Sequence, residues 1–164
     1  MTLIDGLSRA TDHAHSLGIF YDVRRCEAHD DLQAAADELG IELQDVVKTM
    51  ILRAPHDYFV AALVPGGRVL SWPKLRRYLG TNRISIAPAV VAAEVTGYPK
   101  GGISILGNKR KMPIVADSRI QGRKIAVRAG TRQHNLLVDA DSLCLGLGVA
   151  VSDLTDEQYV AIRS

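Results

Sequence analysis

The alternation of apolar and polar positions predicts helices and short strands interleaved along the whole chain. Leu3, Leu7, Ala10, Ala14 and Leu17 recur at helical spacing, which predicts a helix over residues 2–17 with Gly18 as its stop. A strand is expected over residues 19–25. Asp30 or Asp31 caps a second helix, LQAAADEL, closed by Gly40. Residues 46–52 are apolar and β-branched, hence a strand, and His56-Asp57 turns the chain into another over residues 58–64. Pro65-Gly66-Gly67 signals a hairpin into Arg68-Val69-Leu70. Ser71 caps a helix over residues 72–79, with Pro73 in its first turn and Gly80 at its end.

Residues 84–87 read as a short strand; Pro88 then opens the helix AVVAAEVT, and Gly97 ends it. A glycine-rich stretch follows, TGYPKGGISILGNKRK, over residues 96–111. Beyond it, strands are expected over residues 112–116, 124–128 and 136–139, with a turn over 117–122 and a loop around Gly130. Ser142 or Asp141 starts a last short helix. Val149-Ala150-Val151 ends the regular part, and the tail over residues 155–164 is expected to fray. Tight turns between strands imply antiparallel pairing. The expected fold is α/β (mixed α+β): a largely antiparallel sheet or partial barrel surrounded by helices. It forms a single domain over residues 1–164.

Composition narrows the class. A chain of 164 residues, 47% hydrophobic, can bury a real core. It has no run of eighteen apolar residues, so no membrane-spanning helix is expected, and its N-terminus does not resemble a signal peptide. Cys26 and Cys144 lie far apart, which suits a reduced, cytoplasmic setting. The net charge of +2 conceals a strong segregation. Residues 1–47 carry a net −7, residues 48–132 a net +13 and residues 133–164 a net −4. The basic middle is a footprint for a polyanion, unless the acidic ends pack beside it and cancel its field.

The chemistry-bearing residues exclude more than they assign. His13 and His15 sit two apart on a predicted helix and point to different sides; His29, His56 and His134 are scattered, so no metal or other cofactor is expected. The glycine-rich stretch has neither phosphate-loop spacing, and a helix precedes it, whereas a phosphate cradle leads into one. No nucleophile elbow is present. Lys48 is the odd residue. It interrupts the apolar strand VVKTMIL, on the same face as Val46, Met50 and Leu52. It either snorkels from a sheet edge or points into a pocket, where burial lowers its pKa.

The strand VVKTMIL and the later GYPKGGISILG, with their spacing, resemble the YbaK/prolyl-tRNA synthetase-associated family of aminoacyl-tRNA deacylases. The likeness runs over residues 3–154. In that family the lysine of the VVKT-like strand is essential, which here is Lys48. The resemblance implies a pocket for the aminoacyl group lined by Thr49, Gly101, Gly102, Ile103, Ser104 and Gly130. Ile105 stands where the family usually has proline, so the loop lacks that fixed φ. The implied chemistry is ester hydrolysis through an oxyanion held by fixed donors, with no metal and with attack assisted by the substrate. Lys109, Arg110 and Lys111 would meet the tRNA.

The resemblance therefore implies a trans-editing hydrolase of mischarged tRNA, Cys-tRNA(Pro) or Ala-tRNA(Pro), working alone or with prolyl-tRNA synthetase. A non-catalytic tRNA- or synthetase-binding module of the same fold is the alternative, and a hydrolase of some small ester or amide a third reading.

Overall fold

A computed structural model of the chain describes residues 3–27 and 31–158, with side chains in the first helix from Gly6 onward. Helix α1 spans Leu3–Ser16, strand β1 Tyr21–Arg25 and helix α2 Leu32–Leu39. Asp31 caps α2 and accepts from the Gln33 N–H. Asp30 and His29 lie outside the described residues. Strands β2 (Val47–Ala54) and β3 (Tyr58–Pro65) are followed by β4 (Arg68–Leu70), α3 (Trp72–Leu79), β5 (Ser85–Ile86) and α4 (Ala89–Thr96). After the glycine-rich loop come β6 (Ile114–Asp117), β7 (Lys124–Arg128), β8 (His134–Asp139), α5 (Ala140–Leu147), β9 (Ala150–Ser152) and β10 (Thr155–Glu157).

Strand β3 organises the molecule because both its faces are apolar. Phe59, Ala61 and Leu63 enter a main core with Val47 and Ile51 of β2, Ile105 and Leu106 of the loop, and Leu136 of β8. Val60, Ala62 and Val64 enter a second core with Leu52, Leu75 and Leu154. The five-stranded sheet, ordered β5-β2-β3-β6-β9, thus lies between two apolar layers. A three-stranded antiparallel sheet, β1-β8-β7, meets it through an isolated parallel bridge, Val46 to Ala126. Helix α2 covers its other face with Ala35 and Leu39 against Ala126 and Leu137. The fold is mixed α/β, and its described strands do not close into a barrel.

Three local expectations are corrected. The hairpin expected at Pro65-Gly66-Gly67 does not pair β4 with β3, whereas the antiparallel pairing expected across tight turns holds for β2–β3 and β7–β8; β3–β6 and β6–β9, which no tight turn joins, are parallel. The long connections through α3–α4 and through β7–α5 permit this, and the continuous apolar run of β3 suits a strand covered on both faces. Second, the start of the last helix is capped by Asp139. Its carboxylate accepts from the Ser142 N–H and hydroxyl, so Ser142 is the cap's partner.

Third, the tail does not fray at Thr155. Strand β10 pairs with β4, and Thr155 is fully buried. The turn after Pro65 accordingly leads β4 away from β3 rather than back along it. Residues 159–164 lie outside the described residues.

A buried carboxylate pins this corner. Asp117, 1% exposed, accepts from the Leu154 N–H, the Thr155 hydroxyl and both the N–H and guanidinium of Arg119. Burial alone would raise its pKa, but these bonds hold it below the usual value of 3.8. A lowered acid pKa contributes stability that is present above the unfolded-state value and lost as pH falls through the folded one. Replacing Asp117 with Ala is expected to cost about 3 kcal/mol at neutral pH, read as the urea midpoint. The difference from the parent should shrink below pH 3.8.

Candidate active site

The loop between α4 and β6 is closed on itself. Gly97 takes φ 77° and ends α4. Pro99 O accepts from the Gly102 N–H at 2.9 Å, across a turn in which Gly101 takes φ 82°. Tyr98, 1% exposed, plugs the loop's centre and donates its hydroxyl to Leu106 O at 2.6 Å. Burial pushes that phenol up to about 12. Arg9 of α1 fastens both ends. Its guanidinium reaches Thr96 O and Gly97 O at 3.0 and 3.1 Å and Gly107 O at 2.7 Å, and stacks 4.5 Å over the Tyr98 ring. Ile105 is 1% exposed and belongs to the main core. Where proline would fix a dihedral angle, this chain fixes the loop by burying an aliphatic side chain.

Three backbones meet behind the loop. A Cβ on Gly102 would lie 3.0 Å from Gly130 O, and one on Gly130, at φ 89°, would lie 2.4 Å from Gly6 O. Only glycine permits this stacking of loop, β7 turn and α1. Gly101 lies against the Arg132 side chain. Beside it, Thr131 Oγ1 and His134 Nδ1 share a hydrogen bond of 2.7 Å.

Strand β2 supplies the other wall. Val46, just before it, bridges to Ala126 of β7, and further on β5 takes the same edge at Leu52 and Arg53. The Ala87 N–H donates to Ile51 O on that edge, so the odd residues of β2 turn their backbone groups to it. Thr49 therefore presents its N–H and C=O to the gap between the two pairings. Its hydroxyl is buried with no partner among the described residues.

Lys48 has the opposite orientation, sharing a face with Met50 and Leu52 as its spacing implied. Its half-buried ammonium donates to Arg68 O at 3.2 Å. No carboxylate pairs with it among the described residues. Burial without a counter-charge lowers its pKa from 10.5. A cation held this way is unneutralised and free to meet developing negative charge.

The sequence of this chain matches the family described as the aminoacyl-tRNA editing domain over residues 26–143. It belongs to that family. An editing-domain relative, a candidate Cys-tRNA(Pro)/Cys-tRNA(Cys) deacylase, EbsC, of Enterococcus faecalis, is 30% identical over 88% of this chain and 84% of its own length. The proline–tRNA ligase of Thermosipho africanus is 35% identical over 67% of this chain, which spans 20% of the ligase. The chain covers about a fifth of such ligases. A solved structure described as a candidate trans-editing enzyme for prolyl-tRNA synthetase superposes with a TM-score of 0.84. It is 22% identical and covers 92% of this chain and 97% of its own. That likeness establishes the fold.

Within this editing domain the residues singled out by sequence separate into groups. Gly101, Gly102 and Gly130 lie together with Thr131 and Arg132. Ile103 packs on the main core, and Ser104 is buried, its hydroxyl accepting from the Leu106 N–H at 3.1 Å. Among the described residues no hydrogen bond joins Lys48 to this loop. The two are linked through β2 and β7.

Of the basic triplet, Lys109 and Lys111 are exposed, but Arg110 is engaged. It pairs with Asp57 at 3.1 Å and lies 5.0 Å over the Phe59 ring. The acidic ends do neutralise part of the basic middle: Asp153 and Asp156 pair with Lys74, Asp153 with Arg119, and Glu42 and Asp45 with Arg123. Among the described residues, no three metal-ligating side chains converge, and no helix is long and apolar enough to cross a membrane.

Sequence reading missed Arg9, Tyr98 and Thr155. Arg9 flanks the apolar stripe of α1 and carries no local mark of its distant role. Tyr98 was legible as part of the motif, though not as its plug.

Proposed function

We propose that this protein hydrolyses the ester of mischarged aminoacyl-tRNA, acting in trans as a single domain, with Cys-tRNA(Pro) or Ala-tRNA(Pro) as substrate. The observation that carries the reading is Lys48: a half-buried ammonium, without a carboxylate, in an editing domain. Its charge stabilises the tetrahedral oxyanion, or holds the terminal nucleotide's phosphate so that the ester carbonyl is placed for attack. The Gly102 N–H is already engaged on Pro99 O. The Ile103 N–H has no acceptor among the described residues and is the better candidate for a second donor. Water is the nucleophile, positioned by the ribose hydroxyl; with a cysteinyl ester, the substrate's own thiol can attack instead. Ester cleavage then releases the amino acid, or its thiolactone, and the free ribose hydroxyl of the tRNA.

Incubation with Cys-tRNA(Pro), Ala-tRNA(Pro) and Pro-tRNA(Pro) tests this. One mischarged species is expected to be consumed and Pro-tRNA(Pro) spared. Salt-dependent binding with no ester consumed would establish the binding module instead. Lys109, Lys111 and the exposed Lys100 supply the attraction for tRNA. The double variant Lys109→Ala/Lys111→Ala should bind tRNA more weakly at every sequence. Its slope of log K against log salt should fall by about 1.5. Docking on prolyl-tRNA synthetase is a further element of the proposal; the match between this chain and about a fifth of the length of proline–tRNA ligases supports it.

A further inference from the structure

We propose that the C-terminal strand β10 is a working part of the site: Thr155, acting through Arg68, positions the ammonium of Lys48. The proposal rests on the role given to Lys48 above. Strand β4, three residues long, carries the carbonyl that accepts from Lys48 Nζ. Among the described residues, β4 has one ladder partner, β10, in the register Leu70 to Thr155 and Arg68 to Glu157. The Arg68 guanidinium grips that strand, its Nε donating to Thr155 Oγ1 at 2.7 Å and its Nη2 to Thr155 O at 3.3 Å. The Thr155 hydroxyl uses its one proton toward Asp117 Oδ2, at 2.9 Å, and its lone pair toward Arg68. Lys74 holds the same residue from outside, at 2.8 Å from Thr155 O.

A continuous chain of hydrogen bonds therefore runs from buried Asp117 through Thr155 and Arg68 to Lys48. Lysine has a long flexible stem and many rotamers. One carbonyl fixes it here, and that carbonyl stands only as firmly as β4 does. The family match ends at residue 143, so β10 lies beyond it. Thr155 is a positioning residue; it does not touch substrate.

The test uses Thr155→Val, which keeps shape and removes the hydroxyl, and Thr155→Ser, which restores it. Arg68→Met, which removes the grip and keeps the Lys48-accepting carbonyl, is the second route should Thr155→Val fail to fold. Lys48 acylation by an amine-reactive reagent is followed by mass spectrometry, and deacylation of mischarged tRNA is followed in parallel. Thr155→Val is expected to raise Lys48 labelling several-fold and to lower kcat by about tenfold or more, with KM nearly unchanged. Thr155→Ser should behave as wild type. In a Lys48→Ala background, Thr155→Val should remove nothing further.

Wild-type labelling and wild-type kcat in Thr155→Val would overturn the proposal. So would an equal loss with and without Lys48, since that marks a general structural role. If labelling rises in Thr155→Val but the wild-type protein consumes no aminoacyl-tRNA, the functional reading fails and the positioning stands.

Discussion

Lys48→Ala is expected to lower kcat/KM for mischarged tRNA by about 10²–10³-fold, the usual loss when one donor to a developing oxyanion is removed. The protein should stay folded. Burial lowers the pKa of Lys48, so its charged form is less favourable in the folded chain than in the unfolded one. Below the folded pKa that charge subtracts from stability, and the penalty fades as pH rises toward 10.5. Removing the ammonium therefore costs its hydrogen bond to Arg68 O but no ion pair among the described residues. Relief of the buried charge offsets that bond, so a thermal melt of the variant at neutral pH should stay close to the parent, while single-turnover deacylation collapses. Loss of both together would mean that Lys48 holds the fold instead.

Gly130→Ala should be strongly destabilising. The residue sits at φ 89°, and its new Cβ would stand 2.4 Å from the Gly6 carbonyl oxygen and 3.0 Å from the Tyr98 ring. Neither the α1 backbone nor the buried Tyr98 ring is free to retreat. The strained backbone and the overpacking together cost about 4 kcal/mol. Gly148→Ala is the control, because Gly148 also has positive φ, 66°, but nothing within 4 Å of the added methyl. It should cost about 1 kcal/mol. Urea midpoints of the two variants separate the effect of the close approach from that of the dihedral angle alone. Equal midpoints would show that the three-glycine stack is not tight.

Much of the fold was legible locally. Asp31, Ser71, Gly40, Gly80 and Gly97 cap or end their helices as their types and positions suggest, because capping is decided within a few residues. Strand partners across long connections were not legible. The parallel pairing of β3 with β6 depends on which apolar face finds which, far along the chain. Strand β10 is polar, TDE, and is held as a strand by its ladder with β4 and by Arg68, Lys74 and Asp117.

The candidate site divides the same way. Lys48 betrayed itself by breaking an apolar run, and the glycines by their density. The clamp of Arg9 on the loop has no such mark, since a guanidinium that serves three distant carbonyls looks like any surface arginine in sequence. Arg110 shows the reverse: it reads as free positive charge, yet its head is engaged by Asp57 and Phe59.

The most direct measurement is the single-turnover deacylation of mischarged tRNA(Pro) by wild type and Lys48→Ala across the alkaline range, each corrected for uncatalysed hydrolysis. The Lys48-dependent part of the rate should be largest while the ammonium is protonated, and fall as pH rises through a value below 10.5. A rate that climbs through that range would make Lys48 a base. Identical rates for the two proteins at every pH would contradict the assignment of Lys48 altogether.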